Sequence, residues 1–146
     1  MLDAQNALIV PAFSRLITIP LVSTIGAARR FDELPIEGFL DVPKPKGARN
    51  SDRYCSAAIM GDSLIERGIN DGDIAVIRLT FDANEFQQGQ LLAVRTPHGL
   101  LLKFVYWTLK GKVRLVSANP KYEDILLDAE DVSVQGVVEY TMHYWR

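Results

Sequence analysis

Gln90-Leu-Leu-Ala-Val-Arg-Thr-Pro-His-Gly-Leu-Leu-Leu-Lys-Phe-Val-Tyr-Trp-Thr-Leu-Lys-Gly-Lys-Val-Arg-Leu-Val116 divides into three β-rich runs, Gln90–Thr96, Leu100–Trp107 and Lys112–Val116. Branched and aromatic residues dominate each run, and Pro-His-Gly and Lys-Gly-Lys supply the turn chemistry between them. Thr96-Pro-His-Gly99 and Leu109-Lys-Gly-Lys112 therefore read as hairpin loops joining consecutive strands. The same signals extend outward: Tyr54–Met60, Asp73–Leu79 and Val132–Tyr140 are further short β-rich runs, set off by Asp-Gly and Asn-Pro. Only Ser63–Arg67 invites a short helical turn. Many brief strands with close turns predict a mainly β fold, a strongly curved antiparallel sheet or a partly open barrel.

Towards the N-terminus the pattern fades. Residues 1–30 carry no clear helical or alternating period and read as a flexible arm. Val42-Pro-Lys-Pro-Lys-Gly-Ala-Arg-Asn-Ser-Asp-Arg53 combines Pro, Gly and charge and reads as an exposed loop, with the compact β pattern taking over near Tyr54. We divide the chain into an arm, 1–30, and a domain, 31–146. Ala4–Ser14 and Leu16–Ala28 are mostly apolar, but neither reaches the ~18 apolar residues of a membrane span. Asp3 stands where a signal peptide needs Lys or Arg, and Pro11 and Pro20 interrupt the runs. The expectation is a cytoplasmic protein without a membrane partner.

Composition narrows the function. The 146 residues are 48% hydrophobic and 23% charged, which fits one globular domain with a core that needs no disulfide or metal. A net charge of −2 leaves no cationic excess to release counterions from a nucleic-acid backbone, so non-specific DNA binding by this chain is disfavoured. Cys55 has no second cysteine to pair with, and His98 and His143 have no partners at metal-ligand spacing. We expect no cofactor and no metal.

Two places carry possible chemistry. In Ile59-Met-Gly-Asp-Ser-Leu-Ile-Glu-Arg-Gly-Ile-Asn-Asp-Gly-Asp73 a β run stops at Gly61, presents Ser63, and turns back through Asp71-Gly72-Asp73. Gly61 allows a tight bend that leaves Ser63 at a strand end beside free amide N–H groups, a setting for a nucleophile and part of an oxyanion hole. The plainer reading is that Ser63 caps the short helix. The second place is Lys103 inside Leu100–Trp107. It must either snorkel to water from an edge, the commoner fate of lysine, or be desolvated, which lowers its pKa towards that of a general base near neutral pH.

Gly61-Asp-Ser63, Ile69-Asn-Asp-Gly-Asp73 and then, forty residues after the serine, a hydrophobic strand holding Lys103 together resemble the Ser-Lys peptidase domain of LexA-type repressors and UmuD-type mutagenesis proteins. Ser117-Ala-Asn-Pro-Lys-Tyr122 is similar to the Asn-containing turn after the family's lysine strand, and Val134-Gln-Gly-Val-Val138 to its closing strand. The resemblance spans residues 19–140. It implies the LexA C-terminal fold, catalysis by Ser63 with Lys103 as base, and an oxyanion held by the backbone of Asp62 and Ser63. Ile19-Pro-Leu-Val-Ser-Thr-Ile-Gly-Ala-Ala28 resembles the segment such proteins present to their own active site. Aligned without a gap, the scissile bond falls at Ala27–Ala28; aligned on the glycine, it falls at Ile25–Gly26. The resemblance further implies a homodimer and activation by a RecA filament on single-stranded DNA.

The short arm has no room for a helix-turn-helix, which points first to the UmuD-like layout: an SOS-response protein that trims its own arm and then assists an error-prone DNA polymerase subunit. The alternative is the autoproteolytic and dimerisation domain of a LexA-like or phage-type repressor, whose operator DNA would be bound by an N-terminal domain outside this chain. A third reading is a non-cleaving dimerisation module with Tyr140-Thr-Met-His-Tyr-Trp-Arg146 at its interface, or equally in its core. A fourth takes Gly61-Asp-Ser-Leu64 as the nucleophile motif of a GDSL-type esterase, but Tyr140 stands where that family's Asp would precede His143, and no alternating βα pattern exists. Asp71 and Asp73 read as turn chemistry, Trp107 and Trp145 as core or interface, His98 as solvated, and Cys55 as a small apolar strand residue.

Overall fold

The computed structural model describes residues 15–24, 30–82 and 86–143. The candidate scissile residues Ile25, Gly26, Ala27 and Ala28, and also Trp145, lie outside them. Nine strands follow one another: β1 Leu16–Val22, β2 Ile36–Pro43, β3 Tyr54–Ala58, β4 Ile74–Leu79, β5 Gln90–Thr96, β6 Gly99–Trp107, β7 Lys112–Val116, β8 Ile125–Asp128 and β9 Ser133–Met142. They form one open sheet in the order β2-β1-β3-β4-β9-β5-β6-β7-β8. The fold is mainly β, of the LexA C-terminal type expected from the sequence.

The hairpins of the deciding stretch form where the turn residues stand. β5 meets β6 from Gln90↔Val105 to Thr96↔Gly99, and β6 meets β7 from Trp107↔Val113 to Phe104↔Val116. Central strands alternate between two buried sides. Ala75, Ile77, Ala93 and Phe104 belong to one core cluster, while Leu92, Val94, Val105 and Val137 belong to another. A sheet curled enough to bury both faces needs near-continuous apolar runs, and β4 shows one in Ile74-Ala-Val-Ile77, all buried. β9 joins the two halves by pairing with both β4 and β5, with a register shift against each.

Three strands escape the sequence pattern. β1 contains Pro20, which removes a ladder donor, yet it pairs with β2 from Leu16↔Pro43 to Val22↔Ile36. Proline is tolerated because on its other side β1 meets β3 at a single described pair, Leu21↔Ser56, where the Ser56 hydroxyl donates to the Pro20 carbonyl at 3.0 Å. That pair is parallel, so the sheet is mixed and not wholly antiparallel. β2 is largely exposed, and β8 is a four-residue edge strand with alternating exposure; neither offers a local signal strong enough to read. The compact structure thus begins well before Tyr54. Residues 16–22 of the expected arm are a sheet strand with Ile19 and Val22 buried.

Candidate active site

β3 ends at Ala58, and the chain is then pinned by two backbone bonds: Ile59 N–H donates to the Asp73 carbonyl at 2.7 Å and Gly72 N–H to the Ile59 carbonyl at 2.8 Å. Gly61 bends with φ of 88°, a conformation that favours glycine, and its N–H donates to Oδ1 of Asp71 at 2.7 Å. Asp71 and Asp73 serve this turn, as the sequence predicts; Asp73 accepts from Asn70 N–H and meets His143 Nδ1 at 2.5 Å. Beyond the bend Ser63 is half-buried, and Leu64, 2% exposed, anchors the segment in the core. The capping expectation for Ser63 fails. The turn that follows, Ile65–Arg67, is 3₁₀ with Leu64 as its N-cap and no side-chain cap bond. The backbone N–H of Ser63 donates to no group among the described residues, while that of Asp62 lies against its own carboxylate.

Lys103 stands in the middle of β6, paired in register with Leu92 of β5. It does not snorkel: the residue is 8% exposed. Burial disfavours the charged ammonium and holds the lysine below its ordinary pKa. Nζ donates to Oγ of Ser117 at 2.7 Å and lies 5.7 Å from the ring centre of Tyr122. Arg67 stacks over the neighbouring Phe104 at 4.5 Å.

One short segment after β7 touches both halves of the site. Ser117 holds the amine. Ala118 N–H donates to the Ser63 carbonyl at 2.6 Å, and the Ala118 carbonyl accepts from Glu66 N–H at 2.8 Å. Asn119 Nδ2 donates to the Asp62 carbonyl at 2.9 Å. The Asp62 carboxylate accepts from Tyr122 Oη at 2.5 Å and from Lys121 Nζ at 3.0 Å, and these bonds keep its pKa low. In the sequence Ser117–Tyr122 stands out only for its similarity to a family turn, and these contacts are not legible there. The Asn-Pro turn signal marks the place but not what it reaches.

Ser63 and Lys103 line one cavity of about 220 Å³, with Thr24 and Phe31 also in its wall. Thr24 adjoins the segment 25–29 and Phe31 lies two residues beyond it, so the chain on either side of the candidate scissile bonds borders the site. Phe31 is 2% exposed, and its N–H donates at 2.9 Å to Oε1 of Gln135, a fully buried side chain of β9 that sequence reasoning did not single out. A larger cleft of about 530 Å³ lies beside β1 and the 44–53 loop; of these wall residues it shares only Phe31 and includes neither Ser63 nor Lys103. A buried amine of lowered pKa, a hydroxyl in the same cavity and the undonated backbone N–H of Ser63 can together support acyl transfer to serine.

Cys55 is buried in β3 and His98 is exposed, as expected. Tyr140 and Met142 pack against a core cluster as part of β9, so that much of the tail is packed rather than presented. Among the described residues no α-helix alternates with the strands, which removes the GDSL-esterase reading. Among the described residues no group of three His, Cys, Asp or Glu could hold a metal ion, and no helix is long and apolar enough to cross a membrane.

A family model described as peptidase S24-like matches residues 20–139. The LexA repressor of Leptospira interrogans serogroup Icterohaemorrhagiae serovar copenhageni (strain Fiocruz L1-130) is 35% identical over 109 residues, 74% of this chain and 51% of that protein. That of Erythrobacter litoralis (strain HTCC2594) is 34% identical over 134 residues, 91% of this chain and 55% of the relative. The LexA repressor of Pelagibacter ubique (strain HTCC1062) is 33% identical over 122 residues, 82% and 52%. The chain spans about half the length of the curated relatives it matches.

Proposed function

We propose, from the premise that this chain belongs to the peptidase S24-like family, that it is the self-cleaving and dimerising domain of a LexA-like repressor. The observation that carries the reading is the shared cavity, walled by Ser63, Lys103 and both flanks of segment 25–29. What supports a repressor over a UmuD-like mutagenesis protein and its polymerase partner is that the relatives named above are LexA repressors. Operator binding would then fall to the part of such a protein that this chain does not match.

In this reading neutral Lys103 takes the Ser63 proton as Oγ bonds to the scissile carbonyl carbon, and the N–H groups of Asp62 and Ser63 donate to the oxyanion. The C–N bond then breaks, and the lysine ammonium returns its proton to the leaving amine. Water, deprotonated by the same lysine, hydrolyses the acyl-serine and restores the hydroxyl. The bond cut is Ala27–Ala28, with Ile25–Gly26 as the alternative, in the connection between β1 and β2 and close to where the sequence pattern puts the end of the arm, residue 30. Tethering the substrate supplies effective molarities that reach about 10⁵–10⁸ M when orientation is good, so an unhurried nucleophile suffices for one turnover. A RecA filament on single-stranded DNA in the cytoplasm would act by binding the docked-arm state more tightly than the undocked one.

The test is intact mass spectrometry of purified protein. Cleavage within residues 25–28 should quicken as pH rises from about 7 to 10, because deprotonation of Lys103 supplies the base. Ser63→Ala and Lys103→Ala should stay whole. Wild type that survives as well as Ser63→Ala, both at high pH and with an activated RecA filament, overturns the proposal.

A further inference from the structure

We propose that Ser117 is a positioning residue for Lys103, its hydroxyl accepting a hydrogen bond from Nζ so that the amine lone pair is directed at Ser63. The proposal rests on the Ser63–Lys103 reading above. It starts from register: β6 and β7 pair down to Phe104↔Val116, and the next position in that register sets Ser117 opposite Lys103. Residues opposite one another on antiparallel strands have Cβ atoms about 4.5–5.5 Å apart, within reach of a lysine stem folding back on its neighbour. The contact of 2.7 Å is the hydrogen bond that the described residues give Nζ.

A lysine amine on four methylenes has no preferred direction of its own. Once neutral it keeps two N–H groups and one lone pair, and only the lone pair can take a proton from serine. Committing one N–H to Ser117 restricts rotation about Cε–Nζ and leaves the lone pair free. The hydroxyl of Ser117, with two acceptor lone pairs, suits that task. The next residue, Ala118, is bonded to the Ser63 carbonyl and to Glu66 N–H. Amine and nucleophile are thus referenced to the same two consecutive residues, and the distance between them is set locally.

The groups facing Nζ are few. Leu92 opposes Lys103 from β5. From the 117–122 segment comes Tyr122, whose hydroxyl is committed to Asp62, a carboxylate that Lys121 also holds. Ser63 shares the cavity. Among the described residues no carboxylate pairs with Lys103, so removal of the Ser117 acceptor is felt by the amine directly.

The experiment compares pH–rate profiles of self-cleavage in wild type, Ser117→Ala, Ser117→Thr and Ser63→Ala. Ser117→Ala should lower the high-pH plateau by up to ~10²-fold, the scale of a misplaced catalytic group. Its rise should also move to lower pH, because the ammonium form loses the acceptor that favours it. Ser117→Thr, which keeps the hydroxyl, should restore both. A second readout avoids cleavage: in a Ser63→Ala background, carbon-13 NMR of the lysine ε position should show the Lys103 titration moving to lower pH when Ser117→Ala is added. An unmoved titration, or a Ser117→Ala profile matching wild type, overturns the proposal and leaves the peptidase reading intact. Wild type as inert as Ser63→Ala overturns both. Cleavage that persists in Ser63→Ala and vanishes in Ser117→Ala makes Ser117 the nucleophile, and overturns the positioning role.

Discussion

Burial acts on Lys103 and Cys55 with opposite chemical results. It pushes the Cys55 thiol up to about 12, so the core thiolate is absent near neutral pH and the residue is inert. It holds Lys103 down, which makes the amine available as a base. The same shift has a cost in stability. With the folded pKa below the unfolded one, both states are protonated at low pH and the fold bears the full penalty of a buried ammonium. Between the folded pKa and the ordinary lysine value near 10.4, the unfolded chain binds more protons, so stability rises with pH. Lys103→Met in a Ser63→Ala background should therefore melt higher than Ser63→Ala alone at pH 7, by on the order of 1 kcal/mol. The gain should shrink towards pH 10. Thermal melts across that range check it, and a gain that is constant with pH would contradict the assignment.

At the scale of elements, β9 carries most of the architecture. Gly136 pairs with Leu79 of β4 and with Ala93 of β5, and β4 crowds it. A Cβ there would lie 2.6 Å from Cγ2 of Ile77 and 2.7 Å from the Arg78 carbonyl oxygen. Backbone cannot yield as a side-chain tip does, so Gly136→Ala should destabilise by about 1–3 kcal/mol, visible as a lower denaturation midpoint with an unchanged denaturant slope. The residue before it, Gln135, turns its amide inward to hold Phe31 N–H and to donate to the Ser133 carbonyl. One strand thus both joins the two halves of the sheet and grips the C-terminal shoulder of segment 25–29.

Across the whole molecule, the proposed cut falls in the connection between β1 and β2. β1 is not an edge strand. It lies between β2 and β3, with seven paired positions to β2 and with Ile19 and Val22 in the core. Cutting the connection removes the covalent link but none of these contacts. Denaturing mass spectrometry of the cleaved protein should show two pieces, and native mass spectrometry at micromolar concentration should show them together. Pieces that separate at once under native conditions would mean that β1 contributes little to the folded state. In the repressor reading, release of the N-terminal piece then becomes a dissociation that follows chemistry and depends on dilution.

The sequence by itself determined what local chemistry can signal. Short β-rich runs mark β3 to β7 and β9, Pro97-His98 and Gly111 mark the hairpins, and Gly61 marks the bend before Ser63. A lysine inside Leu100–Trp107 is an anomaly in any apolar strand, so Lys103 stands out without coordinates. Tertiary structure alone decided the rest. β1, β2 and β8 are held by pairing although their own residues say little: β1 carries a proline, β2 is mostly exposed and β8 is only four residues long. Whether Lys103 reached water or stayed buried depended on what covered it, which no window of sequence contains. The bonds of Ser117 to Lys103 and of Gln135 to Phe31 span 14 and 104 residues. Serine and glutamine are ordinary residues until the fold sets a partner beside them, by strand register for Ser117 and by the docking of the Phe31 turn on β9 for Gln135.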